Sequence, residues 1–84
     1  MENQHRLIAG YRELTEKEIG LINQIKQEAE VVGGIVKILE DGVRAAEDSG
    51  HQSPVDPRWV EIGRTQLQQG FMALVRAVAQ PETF

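Results

Sequence analysis

Apolar residues recur every three or four positions along two long segments of the chain, and this spacing predicts two amphipathic helices. In the first segment the steps alternate between three and four, as in the heptad repeat of packed helices. We call these positions the first seam: Ile22, Ile25, Ala29, Val32, Val36, Leu39 and Val43. Ile35 and Ile38 widen the apolar face beyond the seam.

Start and stop signals bound the two helices. Thr15 and Glu18 have the spacing of a capping box, so the first long helix is predicted over residues 14–47, at a length of about 50 Å. A polar stretch over residues 48–56 predicts a loop. Asp56 then precedes Pro57, a pair typical of an N-cap and a first helical position. The second long helix is predicted over residues 57–80, because Pro81 cannot continue it.

The second helix repeats the same apolar spacing. Its seam positions are Val60, Gly63, Leu67, Gly70, Leu74 and Ala77, and a second stripe contains Trp59, Ile62, Phe71 and Val78. A glycine inside a helix costs about 1 kcal/mol relative to alanine. Gly63 and Gly70 are therefore expected to permit close approach of a neighbouring helix, the alternative being simple tolerance or a kink.

The fold class predicted from these elements is all-α. A short N-terminal helix or extended arm over residues 1–13 precedes a long antiparallel hairpin, and residues 1–84 form a single domain. The longer first helix should overhang the second near Ile25. Four apolar residues would then lack a partner within the hairpin: Leu14, Ile19, Leu21 and Ile22. The N-terminal arm could fold over some of them, but it is too short to cover the second apolar stripes of both helices.

Size and composition favour self-association. A chain of 84 residues has a marginal core, and it has no cysteine that could form a disulfide. A two-helix contact rarely offsets the entropy of ordering such a chain. The hairpin is therefore expected to assemble into a compact homo-oligomer.

The chain is acidic, with a net charge of −4 and a pI near 5.1. This argues against DNA or RNA as a partner, because sequence-independent binding needs a broad basic surface. The acidic net charge does not exclude a small anionic ligand that is held by a few local cations. The apolar runs are too short to span a membrane, and the polar N-terminus does not resemble a signal peptide. A soluble, intracellular protein without membrane association is expected.

No catalytic constellation is evident. Ser49 and Ser53 lie near His51, but in a polar loop without apolar support. His5 and His51 lack the spacing of metal ligands. We therefore expect no enzymatic activity, no metal site and no cofactor.

Two residues near the front of the chain could recognise a nucleotide. Tyr11, the only tyrosine, could stack on a base, or it could cap the apolar ends of the helices. Lys26 stands at the edge of the first seam and could reach a phosphate. Its alternative is an ion pair with Glu30 at i,i+4 on a wet surface.

A third candidate lies on the second helix. Arg64, Thr65 and Gln68 share one helix face by their i, i+1, i+4 spacing. On spacing alone, solvated polar positions are the simpler interpretation.

Three stretches resemble the phage anti-CBASS sponge proteins, whose hairpin is shared with a class of anti-Thoeris sponges. They are DPRWVEIGRTQLQQGFMALVRAVAQP over residues 56–81, GYRELTEKE over residues 10–18 and NQIK over residues 23–26. The resemblance implies a homo-oligomer, most simply a hexamer, that sequesters cyclic oligonucleotide messengers of bacterial immunity without cleaving them. It also implies action in the cytoplasm of the infected bacterial host.

The resemblance further implies roles for the candidate residues. Tyr11 would stack on a base of a cyclic dinucleotide, Lys26 would contact its phosphates and Arg12 would assist. A separate cyclic trinucleotide site would use Arg64, Thr65 and Gln68. Two alternatives remain open: sequestration of cyclic ADP-ribose isomers, and a structural helical adaptor that binds a protein partner.

Overall fold

A computed structural model describes residues 13–81 of the chain, and all of its regular structure there is helical. Helix α1 spans Glu16–Asp48 and helix α2 spans Pro57–Ala79. The two helices pack along each other as a hairpin whose longest dimension is 55 Å. The all-α prediction is confirmed for this part of the chain. The predicted N-terminal helix lies outside the described residues.

The start of α1 is fixed by the predicted capping box. The Thr15 hydroxyl accepts from the Glu18 backbone N–H at 3.2 Å, and the Thr15 N–H donates to Oε1 of Glu18 at 2.9 Å. Thr15 itself has extended backbone angles. Helix α1 therefore begins at Glu16, two residues later than the predicted first position.

The other helix ends also follow local signals. Ser49 caps the C-terminus of α1, where its hydroxyl donates to the Ala45 carbonyl at 3.0 Å. Asp56 caps α2 by accepting from the Arg58 N–H at 2.9 Å, and Pro57 occupies the first turn. After Ala79 the chain leaves the helix through Gln80, which has a left-handed φ of 46°.

The packed face of α2 differs from the predicted seam. Its half-buried positions include Val60, Gly63, Phe71, Val75 and Val78, whereas Leu74 is 52% exposed. Val60 and Val78 are 18 positions apart, which corresponds to five turns at about 3.6 residues each. A helix without supercoiling drifts away from a strict heptad pattern by about 20° per heptad. The packed positions are therefore Phe71, Val75 and Val78, each one residue after the predicted Gly70, Leu74 and Ala77.

The seam glycines do not mediate close packing inside the hairpin. At both Gly63 and Gly70, no heavy atom beyond the local backbone lies within 4 Å of the place where a Cβ would stand. Within one copy of the chain no helix approaches closely at these positions, and close approach of a helix from another copy stays a prediction.

The apolar residues of the overhang differ in exposure. Ile22 is only 8% exposed and Ala79 is 3% exposed, and they are the buried apolar residues of the described chain. Leu14 and Ile19 are half-buried, while Leu21 is 43% exposed. One copy of the chain therefore buries Ile22, and the absence of a partner for it within the hairpin stays a prediction.

Candidate anion-binding groove

A groove with a volume of about 1030 Å³ runs between the helices along one side of the hairpin. This volume is at the upper end of the range for small-molecule sites, about 300–1,000 Å³. The floor of the groove is apolar and comes from both helices. It is lined by Ile25, Ala29, Val32, Val36, Leu67, Phe71 and Val75.

The rim of the groove carries a concentration of positive charge. Within residues 13–81, five of the seven lysines and arginines line it, but only two of the eleven acidic residues. The cations are Lys26, Lys37, Arg44, Arg64 and Arg76, and the acids are Glu40 and Asp41. A chain with a net charge of −4 thus gathers a local excess of positive charge on one apolar surface.

Both acids of the groove already have a cationic partner. Nη1 of Arg64 donates to Oε2 of Glu40 at 2.8 Å, which links α2 to α1. This hydrogen bond is the main reason why the pKa of the Glu40 carboxyl lies below its usual value, and the nearby charge of Arg44 contributes. Nζ of Lys37 lies 3.3 Å from Oδ2 of Asp41 within α1. The carboxylates therefore offset two of the five cations.

Lys26 lies at the other end of the groove from this ion-paired cluster. The alternative considered for it, an ion pair with Glu30, is not formed within residues 13–81. Arg76 of α2 lines the same end of the groove. Over the same residue range, neither Lys26 nor Arg76 has a carboxylate within ion-pair distance.

The structure brings together some of the predicted site residues. Lys26, Arg64 and Gln68 all line the groove, although the sequence assigned Lys26 to a different site from the other two. Thr65 is exposed and does not line it. Tyr11 and Arg12 lie outside the described residues.

Sequence reasoning missed Lys37, Arg44 and Arg76. A signal was present, because each groove cation follows a packed apolar position by one residue. The pairs on α1 are Ile25 with Lys26, Val36 with Lys37, and Val43 with Arg44. One residue turns a helix by about 100°, so these cations share one side of the seam.

The opposite side of the hairpin is apolar, and we call it the back face. Each of its large residues precedes a packed position by one, which places it on the other side of the seam from the cations. Its members include Val31 (62% exposed), Ile35 (56%), Trp59 (62%) and Leu74 (52%). Ile38, 70% exposed, lies on the same side of α1. This surface is unusually apolar for exposed positions of a small domain.

The remaining candidate chemistry is sparse. The Ser49 hydroxyl and Nδ1 of His51 lie 3.0 Å apart, but both residues are exposed in the loop. Over residues 13–81, no cluster of histidines and carboxylates could hold a metal ion. Neither α1 nor α2 is apolar enough along its length to cross a membrane.

Comparison with known proteins gives two findings. A sequence model of the family described as "Acb2/Tad1, hairpin domain" matches residues 3–79. The chain is also 41% identical over 106 aligned positions to "Anti-CBASS protein 2" of Pseudomonas phage JBD67, with 98% of each chain covered.

Proposed function

Since the chain belongs to the Acb2/Tad1 hairpin-domain family of anti-CBASS sponges, we propose that it binds and sequesters cyclic di- and trinucleotide immune messengers without cleaving them. The messengers would then be withheld from the effectors of CBASS, an immune system that signals through cyclic oligonucleotides. The activity belongs in the cytoplasm of the infected bacterium, where these messengers are made.

The observation that carries this proposal is the basic groove. Cyclic oligonucleotides combine phosphates with planar apolar bases, and the groove combines five cations with an apolar floor that includes Phe71 and Leu67. Charge-assisted hydrogen bonds to phosphate are stronger than neutral ones. Aromatic and aliphatic surfaces accommodate bases by stacking. An acidic chain therefore has one surface with the chemistry that this class of ligand requires.

For cyclic dinucleotides, the resemblance supplies the roles of three residues. Tyr11 stacks on a base, Lys26 contacts the phosphates and Arg12 assists. The position of Lys26 on the groove, without a carboxylate partner in residues 13–81, supports its part of this assignment.

For cyclic trinucleotides, a second site uses Arg64, Thr65 and Gln68. A dihedral hexamer has two-fold axes and one three-fold axis. A ligand with three equivalent nucleotides fits the three-fold axis, and a cyclic dinucleotide fits a two-fold axis. The exposed guanidinium of Arg64, whose side chain is 49% accessible, retains donors for a phosphate beyond its bond to Glu40.

Self-assembly explains why the back face carries exposed apolar residues. Its exposed apolar residues would pack against other copies of the chain, and a hexamer is the assembly that the family resemblance implies. Packing of this kind removes large apolar side chains from water at about 25 cal/mol per Å². Binding without catalysis needs no general base or metal, so a sponge of this design acts by affinity and slow release.

The central experiment combines light scattering with calorimetry. The wild-type protein is titrated with cyclic dinucleotides, cyclic trinucleotides and a cyclic ADP-ribose isomer while its mass is monitored. We expect tight binding to at least one cyclic oligonucleotide. Binding only to the ADP-ribose isomer would instead indicate a Thoeris-type sponge, and no binding by an intact oligomer would refute sequestration.

Two further measurements sharpen the result. Ligand released by heat denaturation should be chemically unchanged by chromatography, whereas a shortened or opened product would reveal a hydrolase. Tyr11→Ala and Lys26→Ala should each lower affinity for cyclic dinucleotide without changing the oligomer mass. An undiminished affinity in both variants would refute the assigned dinucleotide site.

A further inference from the structure

The ion pair between Glu40 and Arg64 defines which residues of the two helices lie side by side. Their side chains meet at 2.8 Å across the hairpin. In an antiparallel pair, moving toward the N-terminus of one helix is matched by moving toward the C-terminus of the other. Gly33 lies seven residues before Glu40 on α1, and Phe71 lies seven residues after Arg64 on α2. The two residues therefore lie level with each other. Both residues line the groove.

Gly33 leaves the middle of the groove open. No heavy atom beyond the local backbone lies within 4 Å of the place where its Cβ would stand, and its backbone is helical rather than left-handed. Within one copy of the chain, neither packing nor conformation requires glycine there. A glycine inside a helix is nevertheless destabilising relative to alanine. Its local consequence is that α1 carries no side chain on the groove wall at the level of the half-buried Phe71.

Cations stand on both sides of this opening along α1. Lys26 is seven residues before Gly33, or about 10 Å, and Lys37 is four residues after it, or about 6 Å. The long side chains of lysine can bring their ammonium groups toward a ligand held at the centre. The arrangement is thus an aromatic ring beside an open apolar recess, with the unpaired Lys26 at one end and Lys37, which is paired with Asp41, at the other.

We propose that Gly33 and Phe71 form a base-stacking subsite of the groove. The planar base of a cyclic oligonucleotide lies against the Phe71 ring in the space left by Gly33, and its phosphates extend toward Lys26 or Lys37. This inference rests on the proposed function and adds to it an aromatic contact made within one protomer. Glycine at position 33 keeps this subsite open, because any larger residue there would fill the recess.

The charges of the groove are complementary to an anionic occupant. Within residues 13–81 of one copy, neither Lys26 nor Arg76 has a carboxylate partner, and a charge buried without a partner is costly. A phosphate supplies the missing negative charge together with an aromatic surface.

The test compares two adjacent glycines. Gly33→Leu places a side chain in the recess, and Gly34→Leu makes the same substitution one residue later, at an exposed position that does not line the groove. Both replace a glycine inside the same helix with a better helix former. By calorimetry with the cyclic oligonucleotide that the wild type binds most tightly, we expect Gly33→Leu to lose about ten-fold or more in affinity. Gly34→Leu should stay within about two-fold of wild type.

Phe71 provides a second, chemically different readout. Phe71→Leu keeps an apolar side chain but removes the stacking ring, and it should weaken binding by about ten-fold, in keeping with the size of base–aromatic stacking. Phe71→Tyr keeps the ring and should bind nearly as the wild type does. Equal affinities for the leucine and tyrosine variants would overturn the stacking role.

The outcomes separate this inference from the proposed function. Wild-type binding that survives Gly33→Leu would overturn the subsite and leave sequestration intact. No binding by the wild-type oligomer would refute both. A change of oligomer mass in Gly33→Leu, but not in Gly34→Leu, would identify the groove as an interface between copies and would also overturn the subsite.

Discussion

Arg64 and Glu40 form the ion pair that joins α2 to α1 beside the groove, with 2.8 Å between Nη1 and Oε2. Glu40 is half-buried, with 21% of its side chain accessible, whereas that of Arg64 is 49% accessible. The carboxylate therefore acts as a counter-charge inside a basic surface and leaves the outer side of the guanidinium available. This pair has a consequence for stability as well as for the orientation of Arg64.

The first prediction concerns pH. The pKa of Glu40 is lowered in the folded chain, chiefly by the hydrogen bond from Arg64, relative to its usual value of 4.5. The unfolded chain consequently takes up the proton first as pH falls. The contribution of Glu40 to stability is complete above pH 4.5 and is lost as pH falls through the lowered pKa. Thermal midpoints of wild type and Glu40→Gln, measured from pH 7 to pH 3, should differ at neutral pH and converge in acid.

Asp41→Asn is the matched control for Glu40→Gln. It removes the carboxylate of the exposed ion pair with Lys37 in the same helix, where surface pairs contribute little. Its thermal midpoint at pH 7 should stay closer to that of wild type than the midpoint of Glu40→Gln. A gap between wild type and Glu40→Gln that persists unchanged at pH 3 would contradict the ionic origin of the effect.

The second prediction concerns the start of α1. Thr15→Ala removes the hydroxyl that accepts from the Glu18 N–H, and it should lower the free energy of unfolding by about 1 kcal/mol. Thr15→Ser retains the hydroxyl and should stay close to wild type. Chemical denaturation followed by circular dichroism measures both, and equal losses in the two variants would mean that the cap contributes nothing.

Sequence reasoning succeeded where the signal is local. The capping box of Thr15 and Glu18 and the Asp56–Pro57 start of α2 depend on residues within one turn of each other. Their outcome does not depend on how the helices pack. For the same reason, the two-helix, all-α character of residues 13–81 could be predicted from apolar spacing alone.

What the sequence could not supply is the relative rotation of the two helices. A strict heptad pattern placed Leu74 on the packed face, but accumulated rotation moved the contact to Val75 and left Leu74 exposed. The groove depends on this rotation, because its rim combines Lys26 and Lys37 of one helix with Arg76 of the other. Lys26 was found by its place beside the seam and by resemblance. Arg76 becomes a candidate only when the packing of the two helices against each other is known.

The third prediction concerns assembly through the back face. Ile38 is 70% exposed in a single copy, and Ile38→Glu would place a charge in the apolar surface proposed to pack against other copies. We expect a lower oligomer mass by light scattering and by sedimentation. Gln27→Glu adds the same charge at an exposed polar position of the same helix and should leave the mass unchanged. An unchanged mass for Ile38→Glu would exclude this part of the back face from the interface.

The fourth prediction concerns the end of the groove at which Lys26 and Arg76 stand. Loss of a charge-assisted hydrogen bond costs about 1.5–3 kcal/mol, which corresponds to an affinity loss of about ten-fold to a hundred-fold. Calorimetry should show a loss of this size for cyclic dinucleotide with Lys26→Ala and with Arg76→Ala. If both cations bind one phosphate and each can partly replace the other, the double variant should lose more than the sum of the single losses, because no compensating cation remains.

Lys17→Ala is the control for these two variants, because it removes one positive charge from an exposed position of α1 outside the groove. A purely long-range effect of net charge would weaken binding equally in all three single variants, and it would be screened by salt over about 8–10 Å. Direct contact predicts instead that Lys17→Ala binds within about two-fold of wild type at 0.15 M salt. Equal losses at all three positions would therefore refute a specific anion site at this end of the groove.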